Sequence, residues 1–425
     1  MTVHYVPAGC EAYSGAHYDL YVKDVHSDKE YSEFGRREKH WVTHTKDVRL
    51  VVSGHKAVLP TSKYDYLVST CSPDFMNALG VKIILANPLL KPYSKKAFRS
   101  AGVYTILDSG GFQMLHNKCT FVSPDDVIAR YNKDADIGMP LDIPCRAIYE
   151  QAYFDRISHI MKCNDDYIAQ RLNPNVKMSV ISHGTTIKRR ESRLDVLDRD
   201  DAEVVAIAGL NINPKDENPI FAKCEQLMYV LSRIRGAKYY HVLGVTDKFF
   251  LFVYCLLDCL KYVKNIGADS VSHRLIAITG GYIQSNFKVH ELQHKLNVRE
   301  SLMCTCPICT ALNDSRIIQE PKLLECHNLW SITRYVDYVH SLVELYLSGT
   351  ISLQKAYDLS SQKVDFNVFK LAIEYVQNVT VKGFYSFPIT RSKSGGLFKQ
   401  KHHKVTSEHY EQIIKNYSKF YGKKF

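Results

Sequence analysis

Short runs of β-branched or apolar residues recur along this chain with amphipathic stretches between them, and that alternation limits the fold more than any other feature. The runs are Val48–Val52, Lys82–Ala86, Val103–Leu107, Val176–Ile181, Val204–Ile207, Tyr240–Leu243 and Leu275–Ile278. Stretches that read as helices, notably Asp125–Lys133, Ile148–Arg171, Ile220–Arg235 and Asp247–Lys264, lie between many of them. Strands alternating with helices imply a mostly parallel sheet. Their number, over a length of about 270 residues, predicts an α/β fold of the (β/α)8 TIM-barrel kind in preference to an open doubly wound sheet.

Several runs lead directly into polar ends that carry glycine: Asp108-Ser-Gly-Gly-Phe-Gln113, Ser182-His-Gly-Thr-Thr186, Ala208-Gly-Leu-Asn211 and Leu243-Gly-Val-Thr-Asp247. In a parallel barrel the site is built at the carboxyl ends of the strands, where small residues let backbone amides approach a ligand. Any one segment alone reads as a plain turn. Four of the same pattern predict one shared pocket.

The 425 residues exceed a single typical domain. The expected division is a segment of unassigned role (1–46), a catalytic barrel (47–300), a metal-binding lobe (301–350) and a helical, basic extension (351–425). The longest apolar run, Phe249–Leu257, is too short to cross a bilayer, so no membrane is expected. The opening Met1-Thr-Val-His-Tyr5 lacks a basic stretch followed by an apolar one. A reducing cytoplasm is therefore expected, with the twelve cysteines as thiols or metal ligands.

Cys304-Thr-Cys306-Pro-Ile-Cys309 is followed by His327 in Leu323-Leu-Glu-Cys-His-Asn-Leu329. Three thiolates and an imidazole make a closed tetrahedral site, which predicts one structural Zn2+ per chain. Cys326 competes with His327 as fourth ligand, and reduced surface cysteines are the bland alternative. Trp330–Leu347 reads as a helix packing this lobe.

Charge is concentrated at one end: from Val381 to Phe425 there are ten Lys/Arg against two Glu, a net of +8 out of +11 for the whole chain. Interleaved with Phe384, Tyr385, Phe398, Tyr410, Tyr417, Phe420 and Tyr421, it suits a polyanion with stackable bases. A solvated helix with a frayed end is the alternative.

Taken in order, Asp108-Ser-Gly-Gly-Phe-Gln113, the Gly-Leu and Leu-Gly-Val strand ends and Cys-x-Cys-x-x-Cys with a later His-Asn-Leu resemble the tRNA-guanine transglycosylase superfamily over roughly Leu50 to Leu347. The resemblance implies a zinc-bearing (β/α)8 pentosyltransferase that exchanges guanine in a polynucleotide for a free 7-deazaguanine base of the preQ0 or preQ1 type. It implies Asp108 as general base and base-contacting acid, with Ser109, Gly110, Gly111, Phe112 and Gln113 lining the pocket. Asp142, in Gly138-Met-Pro-Leu-Asp142, matches the aspartate that reads guanine. His183-Gly184 stands where the family has Gln-Gly, and Gly209-Leu210 matches the strand end whose backbone contacts the base. A cap before Pro144 is the plain reading of Asp142, and a core histidine that of His183. Members often pair, so a homo-oligomer is among the partners implied.

The chemistry itself calls for such acids. Exchange without hydrolysis needs a carboxylate that forms a glycosyl ester, splitting one displacement into two. A second acid must move protons to and from the purines. Asp269 in Gly267-Ala-Asp-Ser-Val-Ser-His-Arg274 aligns with the family's Phe-Asp-Cys-Val nucleophile. Aligning on the glycine places Ser272 there instead, and a serine without a base is a poor glycosyl acceptor. No Pro-Thr-Arg-Asn-type segment follows Arg274, and no archaeal-type RNA-binding module is evident. A helical stretch, Leu353–Gln377, and the basic tail stand in their place. This looks like the DNA-directed branch, so DNA is the expected substrate, reached by extruding the base or on single strands. tRNA is the alternative, and a non-catalytic nucleic-acid-binding subunit is the reading from another class.

Overall fold

Strands that run the same way, with helices between them, occupy the part of the chain that carries the predicted acids. The computed structural model describes residues 3–8, 20–22, 47–52, 55–60, 81–86, 95–100, 102–111, 114, 121–144, 151–197, 202–211, 219–278, 281–284, 289–291, 304, 306, 321–386 and 407–422. The first strands are β1 (Val3–Pro7), β2 (Leu20–Val22), β3 (Asp47–Val52), β4 (His55–Pro60) and β5 (Ile83–Ala86), followed by α1 (Lys95–Ser100). Strands and helices then alternate: β6 (Tyr104–Leu107), α2 (Pro124–Asp134), β7 (Ile137–Gly138), α3 (Gln151–Ala169), β8 (Lys177–Met178) and β9 (Val180–Ser182), α4 (Ile187–Glu191), α5 (Leu194–Leu197). They continue with β10 (Val204–Ile207), α6 (Pro219–Arg233), β11 (Tyr239–Val242), α7 (Lys248–Cys259), β12 (Ile266–Ser270) and α8 (Ser272–Ile278). Strands β13 (Gly281–Ile283) and β14 (Val289–Glu291) precede the helices α9 (Pro321–Leu347), α10 (Leu353–Leu359), α11 (Phe366–Lys382) and α12 (Ser407–Tyr421). By packing, the chain forms two units. One comprises Met1–Val3, Ile106–Asp269 and Val343–Phe425, and the other His4–Thr105 and Ser270–Leu342.

In the first unit β6, β7 and β8 pair in parallel, as do β9, β10, β11 and β12. Only Ser179 separates β8 from β9, and its N–H donates to Gly138 O at 3.0 Å. One stretch of chain thus pairs with β7 at its start and with β10 at its end. Every residue of β10 and of β11 is buried, as expected of parallel strands covered on both faces. Asp247 caps α7 by accepting from Phe250 N at 3.0 Å, so that helix starts where a side chain meets its orphan amides. Phe249–Leu257 is its buried interior, which accounts for the apolar run. No helix among the described residues is long and apolar enough to cross a membrane.

The same unit holds the last helices. α11 packs on α6 and α7, with Phe369 against Phe252 at 5.1 Å and Phe249 at 5.8 Å. α12 buries Tyr410, Ile413, Ile414 and Tyr417, an i, i+3, i+4, i+7 stripe, and packs against α3. Tyr417 Oη donates to Val122 O at 2.9 Å and Tyr410 Oη to Pro144 O at 2.6 Å. Tyr410 and Tyr417, expected to stack on bases, are therefore spent on packing. Phe420 and Tyr421 join them against Phe121 and Tyr167, and Phe384 lies on Tyr229. Phe398 lies outside the described residues.

In the second unit β2, β3 and β4 form an antiparallel sheet, and β13 pairs antiparallel with β14. Ala8 bridges Leu85 in parallel and donates its N–H to Ser270 O at 3.0 Å, while Tyr104 N donates to Lys82 O at 2.8 Å. Asn328 on α9 accepts from Ile283 N at 2.9 Å and donates to Gly281 O and His273 O.

Four sequence expectations change. Leu275–Ile278 lies in helix α8, since a short apolar run has no periodicity to separate strand from helix. The strand there is Ile266–Ser270, disguised by Gly267 and Ala268. Val48–Val52 is a strand, but of the antiparallel sheet. Leu353–Gln377 is two helices, parted near Ser361, whose φ of 51° is left-handed. Helix α9 also begins well before Trp330, so His327 lies on it.

Candidate active site and metal centre

Register brings the predicted acids to one edge of the parallel strands. Leu107 pairs with Gly138, Ile207 with Ser182 and Val242 with both Ile207 and Ala268. Asp108 therefore follows the end of β6, Asp142 the end of β7, His183 the end of β9 and Gly209-Leu210 the end of β10. Asp269 lies one residue past Ala268. Ligands bind parallel α/β sheets outside these carboxyl ends.

Burial pushes the Asp108 carboxyl up to about 6, and the Asp142 carboxylate adds to it. The Gly110 N–H opposes the rise, the Asp269 carboxylate adds a further increment, and the Ser109 N–H opposes it again. Three carboxyls thus share one electrostatic field, the pattern that lifts the pKa of one of them toward neutrality. Beneath them Tyr131 donates to Met139 O, and burial, then the Asp108 charge, holds its phenol well above its ordinary value. Gly111 lies against the Asp142 backbone, and a Cβ there would run into the Asp142 carbonyl oxygen. Ser109 is buried and its hydroxyl has no hydrogen-bond partner among the described residues. Phe112 and Gln113 lie outside the described residues.

His183 is fully buried and stacks on Phe154 at 5.6 Å between ring centroids. Its Nε2 lies 3.1 Å from Asp142 Oδ1, but the two atoms lack hydrogen-bond alignment. Neither ring nitrogen is hydrogen-bonded, unlike those of a satisfied core histidine. Asp142 caps no helix among the described residues.

Arg190 organises this region and was not foreseen. It is fully buried and donates to Ser182 O and Ala208 O, each at 2.8 Å, and to Gln226 Oε1 at 3.1 and 3.2 Å. It ties together the ends of β9 and β10. Burial lowers its pKa to about 9, against the supporting Asp142 charge. In the sequence it sits within Lys-Arg-Arg-Glu, which reads as a solvated helix face. Gly209 has φ +83°, and a Cβ there would strike Gly184 O, so the two glycine turns lie against each other.

Asp269 has its own support. Gly267 is the register partner of His241, and Asp269, two residues on, shares its face. His241 Nε2 lies 3.1 Å from Asp269 Oδ1, and Gly244 N donates to the same oxygen at 2.9 Å. Tyr239 Oη is 2.9 Å from His241 Nδ1. Burial, then the Asp269 charge, raises the Tyr239 phenol well above its ordinary pKa. A polar His inside an apolar strand that ends on Leu-Gly-Val was the available signal for this group. Ser272, the other nucleophile register, starts α8 and hydrogen-bonds Ser270 Oγ.

In the second unit Cys304, Cys306 and His327 form a group able to hold a metal ion. His327 Nδ1 is 3.2 Å from Cys306 Sγ and 3.5 Å from Cys304 Sγ, while Nε2 faces Ile283 O at 3.0 Å. The carbonyl accepts a hydrogen from Nε2, which leaves the Nδ1 lone pair toward the sulfurs, as ligation requires. Tyr282 stacks on the ring at 4.0 Å. Cys326 is buried but outside this group, and Cys309 lies outside the described residues.

A scan of the sequence against protein-family models finds no match, and a search among curated proteins finds none either.

Proposed function

We propose that this protein is a base-exchanging pentosyltransferase that replaces guanine in a nucleic acid, preferably DNA, with a free 7-deazaguanine through an Asp269 glycosyl ester. The observation that carries this reading is the shared field of Asp108, Asp142 and Asp269, with Asp108 held at about 6. An ionised Asp269 oxygen attacks C1′ and the C1′–N9 bond breaks, its electron pair passing to the purine. Protonated Asp108 supplies the departing base with its proton. Asp142 accepts from N1–H and the 2-amino group, which guanine has and adenine lacks. The incoming base then gives its N9 proton to Asp108, and N9 displaces the ester at C1′.

We take the parallel strands as a (β/α)8 barrel. In support, β6 to β12 follow one another in one unit, and in the other Ala8 pairs with Leu85 and Ser270 while Lys82 pairs with Tyr104. Cys304, Cys306, Cys309 and His327 would hold one structural zinc, which braces their lobe and takes no part in the exchange. The preference for DNA over tRNA rests on the segment after Arg274 and the basic tail.

Incubation with radiolabelled guanine and either duplex DNA, single-stranded DNA or tRNA tests the reading. Label should enter DNA, and Asp269→Asn should abolish incorporation without changing zinc content. Label in tRNA alone transfers the assignment to tRNA. Tight nucleic-acid binding with no label in any polymer points to the non-catalytic subunit.

A further inference from the structure

We propose that His241, itself held by Tyr239, is a positioning residue that fixes Oδ1 of Asp269 and leaves Oδ2 as the attacking oxygen. The role assigned to Asp269 rests on the transglycosylase reading, but the hydrogen-bond chain stands on its own geometry. Oδ1 receives Gly244 N–H at 2.9 Å and faces His241 Nε2 at 3.1 Å. Two donors on one oxygen stop the carboxylate from turning and leave the other oxygen unheld by either.

The tautomer follows from donor counting. An ionised carboxylate only accepts, so the ring hydrogen must sit on Nε2. In the neutral imidazole Nδ1 is then an acceptor, and the Tyr239 hydroxyl 2.9 Å away donates to it. The phenol stays protonated there, because burial and the Asp269 charge both oppose its ionisation. Tyr239, His241 and Asp269 lie on β11 and β12, two parallel neighbours, so rigid strands set their spacing. The imidazole is fully buried, whereas the Asp269 side chain keeps 15% of its surface open. The carboxylate reaches outward and its support does not, the arrangement expected of a nucleophile and its holder.

Two measurements on the full-length chain decide the matter. The first is the ring-nitrogen NMR spectrum of protein labelled with 15N-histidine, the His241 signal being identified by its loss in His241→Gln. The hydrogen should reside on Nε2, and the signal should shift in Asp269→Asn. A hydrogen on Nδ1 alone, or a signal unmoved by Asp269→Asn, overturns the inference. The second is exchange kinetics. His241→Phe should lower kcat about 10- to 100-fold, the scale for losing a group that orients a reacting ligand, with KM nearly unchanged. His241→Gln, which keeps a donor near the Nε2 position, should recover part of that loss. Wild-type kcat in His241→Phe also overturns it. Absence of exchange in the wild-type protein counts against the transglycosylase reading, while the ring-nitrogen spectrum still decides whether His241 holds Asp269.

Discussion

Asp108 is less stable ionised in the fold than in water, because burial and two neighbouring carboxylates oppose its charge. Its folded pKa of about 6 lies above the ordinary 3.8, so the folded state binds its proton more tightly than the unfolded state does. Stability then falls as pH rises from about 4 to about 6, and above that window the whole penalty stands. Asp108→Asn removes the charge and retains the shape. At pH 7.5 it should unfold at higher urea, by about 1–2 kcal/mol once the water reaching this partly open carboxyl is allowed for. At pH 4.5 it should differ little from wild type. Equal or lower stability of the Asn variant at pH 7.5 would show that the site does not strain Asp108. The residue was legible because acid-Ser-Gly-Gly after a β-branched run is a local pattern. Arg190 was not, since its partners Ser182, Ala208 and Gln226 come from three separate segments.

At the scale of elements, α12 was read as an aromatic surface for bases, yet it uses those rings to dock on α3. The stripe Tyr410, Ile413, Ile414, Tyr417 could be read from the sequence at helical spacing, but its direction could not. Only the backbone acceptors Pro144 O and Val122 O tell a packing tyrosine from a stacking one. Tyr417→Ala should cost about 3–5 kcal/mol in chemical denaturation, the range for removing a buried aromatic ring. Tyr417→Phe keeps the ring but orphans Val122 O, and should cost about 1 kcal/mol. If both variants melt with the wild type, α12 does not dock as described. The acids at strand ends were legible for the opposite reason, because parallel strands send all their carboxyl ends to one edge whatever the tertiary detail. Strand β12 escaped notice because Gly267 and Ala268 carry no β-branched signal, whereas Leu275–Ile278 carries one inside a helix.

For the whole molecule, +8 of the net charge of +11 lies from Val381 to Phe425, and on the proposed nucleic-acid reading that charge is what meets the polymer once Tyr410 and Tyr417 are excluded from stacking. What remains of the tail's offer to a nucleic acid is charge, and charge has a distinct signature. Each phosphate neutralised releases counterions, so log K falls with log salt at a slope of about −0.9 per phosphate on duplex DNA and about −0.7 on single strands. Lys415 and Lys419 are exposed on α12, and Arg391, Lys393, Lys399, Lys401 and Lys404 precede it in sequence. Replacing those five by alanine should weaken duplex binding at low salt and flatten the slope by about 0.9 for every phosphate that is no longer neutralised. Exchange measured at saturating DNA should keep its kcat, since the acids of the proposed site lie at strand ends and none is in the tail. Fluorescence anisotropy against a labelled duplex, repeated from 50 to 200 mM salt, reads the slope directly. An unchanged slope would move the polyanion-binding cations to the other lysines of the tail, Lys382, Lys415, Lys419, Lys423 and Lys424, or to the chain before Val381, where the net charge is only +3.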